Sequence, residues 1–173
     1  MIQVTLISSE QIKANSVILE NVDDKTIRIC TLKAQNYYLR SKIGELLLED
    51  LYKAVIDYND NNTPIPLEYE TLINDYLQLA IVEYTVSLCI DTLAFKYSNQ
   101  GVEKIGDEKS TPADLDEIKY NKQQPFKSAE FYSQRAIRFI KNNKEDYPLY
   151  FECEDNFIKP ANKGYNSGLY LDK

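Results

Sequence analysis

The sequence contains no histidine and no tryptophan, and it has only one methionine and five glycines among its 173 residues. Without histidine the chain lacks the commonest general base, the imidazole partner of serine and cysteine nucleophiles, and the imidazole ligands of metal sites. The five glycines are too scattered to form a glycine-rich phosphate-binding loop. We therefore expect a protein without catalytic activity, without a cofactor and without a resident metal ion.

Cysteine and positive charge are also scarce. Cys30, Cys89 and Cys153 are widely spaced and odd in number, which favours buried reduced thiols over a disulfide framework or a zinc site. Twenty basic residues stand against twenty-seven acidic ones, and the net charge is −7. Because a protein that grips nucleic acid needs a basic face, we expect no specific binding to DNA or RNA.

The chain has no long uninterrupted apolar run. Residues 1–13 show no basic stretch followed by an apolar core, so we expect no secretory signal. The most apolar stretch, residues 77–95, is interrupted by Gln78, Glu83 and Asp91. Charges inside such a stretch indicate a core helix rather than a membrane span, and we expect no membrane partner.

What the sequence does contain is helical periodicity in four blocks. Asp23 is placed to cap a first long helix that ends at Gly44. A second helix covers residues 44–58, and a turn-rich loop with two prolines covers 57–66. The third helix, about residues 67–97, is apolar around most of its second half, which places it at the centre of a bundle.

A fourth helix is expected to start near Thr111. Thr111 and Asp114 form a capping-box-like start, and Pro112 suits the first helical position. Pro125 is expected to kink or split this helix. Near the end of this helix lies a basic stripe, which consists of Arg135, Arg138, Lys141 and Lys144. These cations either stabilise the helix dipole or form an ion pair with another subunit.

Between the third and fourth helices the pattern breaks at FKYSNQGVEKIGDEKSTPADLDEIKYN, residues 95–121. VEKIGDEK, residues 102–109, alternates enough to predict a short hairpin or an extended arm. After residue 150 the periodicity is lost again, and prolines and glycines alternate with aromatic residues. An extended segment with so many aromatic residues is expected to dock on its own core or on a neighbour.

These patterns predict an all-α protein, a small helical bundle of about four main helices with a short hairpin or extended arm and an extended C-terminal tail. We expect one domain at residues 1–150, with the arm at 99–110, followed by a docking tail at 151–173. One hydrophobic core is the usual content of a chain of this length.

One segment has the spacing of calcium ligands. Asp57 to Glu68 reproduces the ligand positions of an EF-hand loop. Asn62, however, replaces the glycine of the sharp turn, and the chain has no second loop to pair with this one. A solvated asparagine-rich turn is the favoured interpretation, and we expect no calcium site.

The order of these segments resembles the head-to-tail connector (adaptor) proteins of tailed bacteriophages, as in crAss-like and other phages of Bacteroidetes-type hosts. The resemblance covers roughly residues 23–151, and NQGV at 99–102 and AEFYSQRAIRFI at 129–140 are its most specific parts. It implies a helical subunit of a ring, commonly of twelve copies, that sits beneath the portal protein and extends the DNA channel. The implied location is the head-tail junction of a virion made in the host bacterial cytoplasm.

The resemblance also implies where partners bind. The arm between the long helices reaches a neighbouring subunit, and the C-terminal segment docks on the portal, while the next connector or tail protein binds the platform. DNA passes through the acidic channel without specific binding. The implied subunit-interface residues are Gly101, Val102, Ile105 and Gly106, and the implied portal-docking residues are Phe151, Phe157, Tyr165 and Tyr170.

Two other functional classes stay open at this stage. The chain also fits a small acidic helical phage protein that binds and inhibits a host protein. A calcium-regulated enzyme or sensor requires that Asp57 and Glu68 bind calcium. The mass of the particle that the protein forms separates the connector from the inhibitor, because a ring is large and an inhibitor stays small.

Overall fold

The fold is all-α, as predicted, and four helical runs form its body. A computed structural model describes residues 4–18, 20–98, 101–104, 114–152 and 158–160. A short helix α1 (Ser9–Ala14) precedes the first run, which consists of α2 (Asp24–Lys33), a π-helical segment π1 (Ala34–Leu39) and α3 (Arg40–Ile43). The second run is α4 (Glu45–Asn61).

Local signals set the ends of the first two runs. The Asp23 carboxylate accepts a hydrogen bond from the Thr26 backbone N–H and caps α2, as predicted. Gly44 ends the first run with φ +84°, a conformation that glycine adopts without steric cost. The second run extends further than predicted, because residues 57–61 are helical and Asn62 ends the helix in the left-handed conformation.

The third run lies at the centre of the bundle. It comprises α5 (Leu67–Thr71), a second π-helical segment π2 (Leu72–Leu77) and α6 (Gln78–Ala94). By length and composition alone, Leu67–Ala94 is apolar enough to cross a membrane. Here α6 packs against α2 and against the last long helix, and Ile81, Tyr84 and Thr85 are fully buried, as expected of a core helix.

The fourth run is one uninterrupted helix, α7 (Leu115–Asn142), and the prediction that Pro125 could split it is wrong. A proline inside a helix removes a backbone hydrogen bond and weakens the preceding turn. The Ser87 hydroxyl on α6 donates to the Lys122 carbonyl in that turn, 3.2 Å away, and supports it. The capping residue is Asp114, with Glu117 completing a capping box, whereas Thr111 and Pro112 lie outside the described residues.

An antiparallel hairpin, the arm, connects α6 to the segment before α7. Its strands are β1 (Phe95–Ser98) and β2 (Gly101–Lys104). The sequence pattern predicted that residues 95–97 belong to the third helix and that the hairpin lies at 102–109. In the structure the first strand of the hairpin already begins at Phe95, so the predicted end of the helix is wrong. Phe95, Lys96 and Tyr97 alternate in polarity and favour a strand once a partner strand is present, but that pairing is invisible to local periodicity.

The N-terminal segment is fixed to the body by one buried amide. The Gln35 side chain, on π1, accepts a hydrogen bond from the Leu6 backbone N–H at 2.9 Å and donates to the Val4 carbonyl at 3.2 Å. It also donates to the Tyr52 hydroxyl on α4 at 3.1 Å. Burial raises the pKa of Tyr52 to about 12, so this phenol stays protonated. Gln35 therefore joins three segments of the chain.

Candidate assembly surface

The arm is the first part of the candidate site, and two of its predicted residues fall on strand β2. Gly101 begins β2 and Val102 follows it, whereas Ile105 and Gly106 lie outside the described residues. Among the described residues, the main contacts of the arm beyond its own two strands are with the end of α6. A two-stranded hairpin on its own is marginally stable in water, and contact with a further surface stabilises it.

The two strands of the arm pair antiparallel. Phe95 pairs with Lys104, and Tyr97 pairs with Val102. Lys96 pairs with Glu103, and Ser98 pairs with Gly101. In the described part of the chain the sheet has only these two strands, so both outer edges are open to a third strand.

The C-terminal tail supplies one described residue of the predicted portal-docking set. Phe151 follows a short 3-10 helix, Pro148–Tyr150, and is 41% exposed. Its ring stands edge-on to that of Tyr150, with the Lys144 ammonium 5.7 Å from the ring centroid. Phe157, Tyr165 and Tyr170 lie outside the described residues.

A later piece of the tail is attached to the body at the start of α4. The Glu45 backbone N–H donates to the Ile158 carbonyl at 2.8 Å, and the Ile158 N–H donates to the Glu45 carboxylate at 2.9 Å. Gly44, the residue that caps α4, has no side chain to cap with, so the Ile158 carbonyl takes that role. Arg40 pairs with the same Glu45 carboxylate and with Glu49 at 2.6 Å.

The proposed calcium loop does not have the conformation that calcium binding requires. Asp57, Asn59 and Asn61 would supply the first three ligand positions, but all three lie within helix α4. An EF-hand loop turns sharply in this half so that its oxygen atoms surround the ion, whereas a helix directs side chains outward all round its axis. The non-helical turn is confined to residues 62–66. This conformation does not fit a calcium-binding loop at residues 57–68, and it therefore disfavours a calcium-regulated function.

A cleft of about 860 Å³ opens between the end of α1, the central helix α6 and the proline segment of α7. Glu83, Val86 and Ile90 of α6 line it at helical spacing, and Pro125 of α7 and Val17 lie at its sides. Val17 is 84% exposed. Burial raises the pKa of Glu83, and within the described part of the chain this carboxylate has no hydrogen-bond or ion-pair partner.

The sequence pattern missed this cleft, although it contained a signal. Glu83 interrupts the most apolar stretch of the chain, and we interpreted it only as an argument against a membrane span. A carboxylate in the middle of a core helix must either find a partner or reach water. Here it reaches water through the cleft.

The other buried polar groups are structural. The Tyr84 hydroxyl donates to the Glu130 carboxylate at 2.6 Å, and Lys42 pairs with the second oxygen of Glu130 at 2.6 Å. Burial and the Glu130 carboxylate raise the pKa of Tyr84, so the phenol stays protonated at neutral pH and also accepts a hydrogen bond from the Ser133 hydroxyl at 3.2 Å. Cys30 and Cys89 are buried free thiols, as predicted, while Cys153 lies outside the described residues.

The basic stripe near the end of α7 makes contacts within the chain. The Arg135 guanidinium lies 5.1 Å from the centroid of the Tyr76 ring, and Lys144 lies over Phe151. These contacts favour an internal role for the two cations over the ion pair between subunits.

Neither the search of curated proteins nor the search of solved structures finds a match to this chain. A protein-family model does match, over residues 42–158. This range starts in α3 and includes α4, the cleft residues of α6, the arm, α7 and Ile158 of the tail. The match covers about two thirds of the chain, which therefore belongs to DUF6712, a family of unknown function.

Proposed function

We propose that this protein is a structural subunit of a phage virion, which assembles into a head-to-tail connector ring between the portal and the tail. The observation that carries the proposal is the arm, a two-stranded hairpin at the end of the central helix, whose two outer edges have no partner strand among the described residues. Such a hairpin gains its missing contacts when a neighbouring copy covers it. The resemblance to phage connectors supports the same assignment.

A ring requires two different patches on each subunit, so that each copy binds the next in the same way and the chain of contacts closes. The arm is one patch. The net charge of −7 fits a ring that surrounds DNA, because an acidic wall repels phosphates and lets the duplex slide. We place the ring at the head-tail junction, with no catalytic role, no cofactor and no membrane contact.

The arm assignment is tested by the double substitution Val102→Asp and Ile105→Asp. Charges on an apolar contact face weaken association while leaving the helical body folded. We expect the variant to remain helical by circular dichroism and to lose the large particle in sedimentation velocity. An unchanged particle contradicts the assignment of the arm to the subunit interface.

The tail assignment is tested by deletion of residues 161–173 and binding to the purified portal protein. This deletion keeps Ile158–Pro160 on the body and removes Tyr165 and Tyr170. We expect a folded ring that no longer binds the portal. Portal binding as strong as that of the full chain shows that residues 161–173, with Tyr165 and Tyr170, are not the docking element.

An alternative role, inhibition of a host protein, has one observation in its favour. Tyr37, Tyr120 and Phe131 are each more than half exposed on the outer helices, and exposed aromatic residues are common at protein interfaces. An inhibitor stays monomeric or dimeric and pulls down one host protein from a lysate. A connector forms a discrete large particle and binds the portal.

A further inference from the structure

We propose that the exposed outer face of helix α7 docks on a second copy of this chain, with Phe131 of one copy inserted into a cavity beside α4 of the next. This inference rests on the proposed function and names a contact between neighbouring subunits of the ring. The outer face is defined by Tyr120, Lys127, Phe131 and Arg138. The α4 cavity lies between the N-terminal segment, the end of α4 and the start of the third run.

The outer face of α7 combines exposed aromatic rings with positive charge. At 3.6 residues per turn its four residues lie within about 40° of one another around the helix. Tyr120 and Phe131 are 64% and 59% exposed, and Lys127 and Arg138 are also exposed. Within the described residues neither cation has an ion-pair partner. Aromatic residues and arginine are enriched at protein interfaces, so this face suits an acidic partner surface that also offers apolar contact.

The charge of α7 differs from that of the chain as a whole. Residues 118–142 contain six basic residues and one acidic residue, whereas the chain has a net charge of −7. The one acidic residue, Glu130, binds Tyr84 and Lys42 of the same chain. The outer face is therefore a positive surface on an acidic protein, and acidic surface of a second copy attracts it.

The α4 cavity has the opposite charge around an apolar interior. Its volume is about 700 Å³, which is within the range of pockets that hold whole ligands and is ample for one phenyl ring. Residues 54–76 contain five acidic residues and no basic one. Of these, Glu70 lines the cavity, while Asp57 and Asp60 adjoin Tyr58 and Asn59, which also line it. The apolar lining consists of Leu6, Ile7, Val55, Ile65 and Ile73.

The spacing of the two sides also agrees. Lys127 precedes Phe131 by four residues and Arg138 follows it by seven, about 6 Å and about 10 Å along the helix at 1.5 Å per residue. The two cations therefore lie on either side of the phenyl ring. The carboxylates of the second copy are likewise on two elements that border the cavity, since Asp57 is on α4 and Glu70 is on α5.

The outer face does not make this contact within its own chain. The buried residues Ala129, Ser133 and Ala136 lie about 140–160° from Phe131 around α7, so the outer face points away from the body. Among the described residues that line the α4 cavity, none belongs to α7. The contact is therefore between copies. Because the outer face and the cavity are different patches, it repeats from one copy to the next, as a ring requires.

The proposal is tested by exchanging the charges of the two patches. The first variant carries Lys127→Glu and Arg138→Glu, and the second carries Asp57→Lys and Asp60→Lys. Each variant alone has like charges on both patches, and we expect its association to weaken at least about tenfold in sedimentation equilibrium. In an equimolar mixture every contact again joins opposite charges in alternation, and we expect association to recover to within about threefold of the original chain.

The matched control carries Lys25→Glu and Lys119→Glu. It makes the same change in net charge as the first variant, at exposed positions on α2 and on another side of α7. We expect its association to stay within about threefold of the original chain, because neither lysine belongs to the outer face.

The insertion of Phe131 is tested by Phe131→Ala. We expect this variant to remain helical by circular dichroism, since the ring is exposed, and to associate at least about tenfold more weakly, as truncation of an interface anchor does. Tyr37→Ala, at a position of π1 that is 68% exposed, is the control. Equal effects of the two substitutions contradict the insertion.

The outcomes separate this inference from the proposed ring. If the original chain forms a discrete large particle but the first two variants assemble as the control does, or their mixture does not recover, the contact is wrong and the ring stands. A first variant that loses binding to duplex DNA in a gel-shift assay while its self-association is unchanged also overturns the contact, because the outer face then binds phosphates. If the original chain is monomeric at every concentration, alone and with the portal, the ring and the contact both fail.

Discussion

At the scale of single residues, the buried side-chain amide of Gln35 connects three parts of the chain, namely the N-terminal segment, π1 and α4. Gln35→Leu leaves the Leu6 N–H, the Val4 carbonyl and the Tyr52 hydroxyl without this partner. Each buried polar group left unpaired costs about 1–3 kcal/mol, so we expect the free energy of unfolding to fall by about 2–4 kcal/mol in urea titration.

Ser41→Ala provides the control for this prediction. The Ser41 hydroxyl, on α3 of the same helical run, donates to the Tyr38 carbonyl of its own run at 2.8 Å and is only partly buried. We expect a loss below about 1 kcal/mol there. Equal losses at both positions contradict the assigned role of Gln35.

Glu83 gives a second prediction at this scale, in its pH dependence. Burial raises the pKa of the carboxyl in the folded monomer above its unfolded value, so the folded state binds the proton more tightly. Ionisation at neutral pH therefore opposes folding, and this cost disappears as the pH falls below the unfolded pKa. We expect Glu83→Gln to raise the melting temperature of the dilute monomer at pH 7 and to leave it unchanged near pH 4.

The control for this prediction is Asp75→Asn, which removes a carboxylate at an exposed position of π2. A Glu83→Gln variant less stable than the original chain at pH 7 contradicts the interpretation of the cleft.

At the scale of elements, the junction of α4 with the tail makes a prediction of its own. Gly44 has φ +84°, and a Cβ atom there lies 3.0 Å from the ring carbons of Pro160. Gly44→Ala therefore suffers backbone strain of about 1–3 kcal/mol, because this region of φ and ψ is open essentially to glycine alone, and it also collides with the tail. We expect a lower free energy of unfolding and faster backbone amide exchange at Glu45, which donates to Ile158.

A double-mutant cycle separates the two causes. In the Pro160→Ala background the collision is relieved and only the backbone strain stays, so Gly44→Ala costs less than in the original chain. An identical cost in both backgrounds means that the tail does not rest on Gly44 in solution.

The helices and strands also show which structural features could be predicted from the sequence. The Asp23 cap, the break at Gly44 and the central position of α6 follow from local signals and were predictable. The strand at Phe95–Ser98 was not, because it depends on its partner strand. The attachment of Ile158 to Glu45 joins residues 113 apart in the sequence, and no periodicity reports a contact of that kind.

At the scale of the whole molecule, the same distinction holds for the candidate site. The sequence indicated the arm, because glycine and proline interrupt a helical pattern there. It did not indicate the cleft, which exists only because α1, α6 and α7 pack as they do. Glu83 was visible as a charge in an apolar run, but its position in this cleft follows only from how the helices pack.

The central claim, that copies of this chain close into a ring, is tested by the mass of the particle that the purified chain forms, measured by size-exclusion chromatography with multi-angle light scattering over a range of concentrations. A closed ring gives one discrete species whose mass is a fixed multiple of 20.1 kDa. A chain that stays at 20.1 kDa at every concentration, both alone and with the portal protein, contradicts the ring.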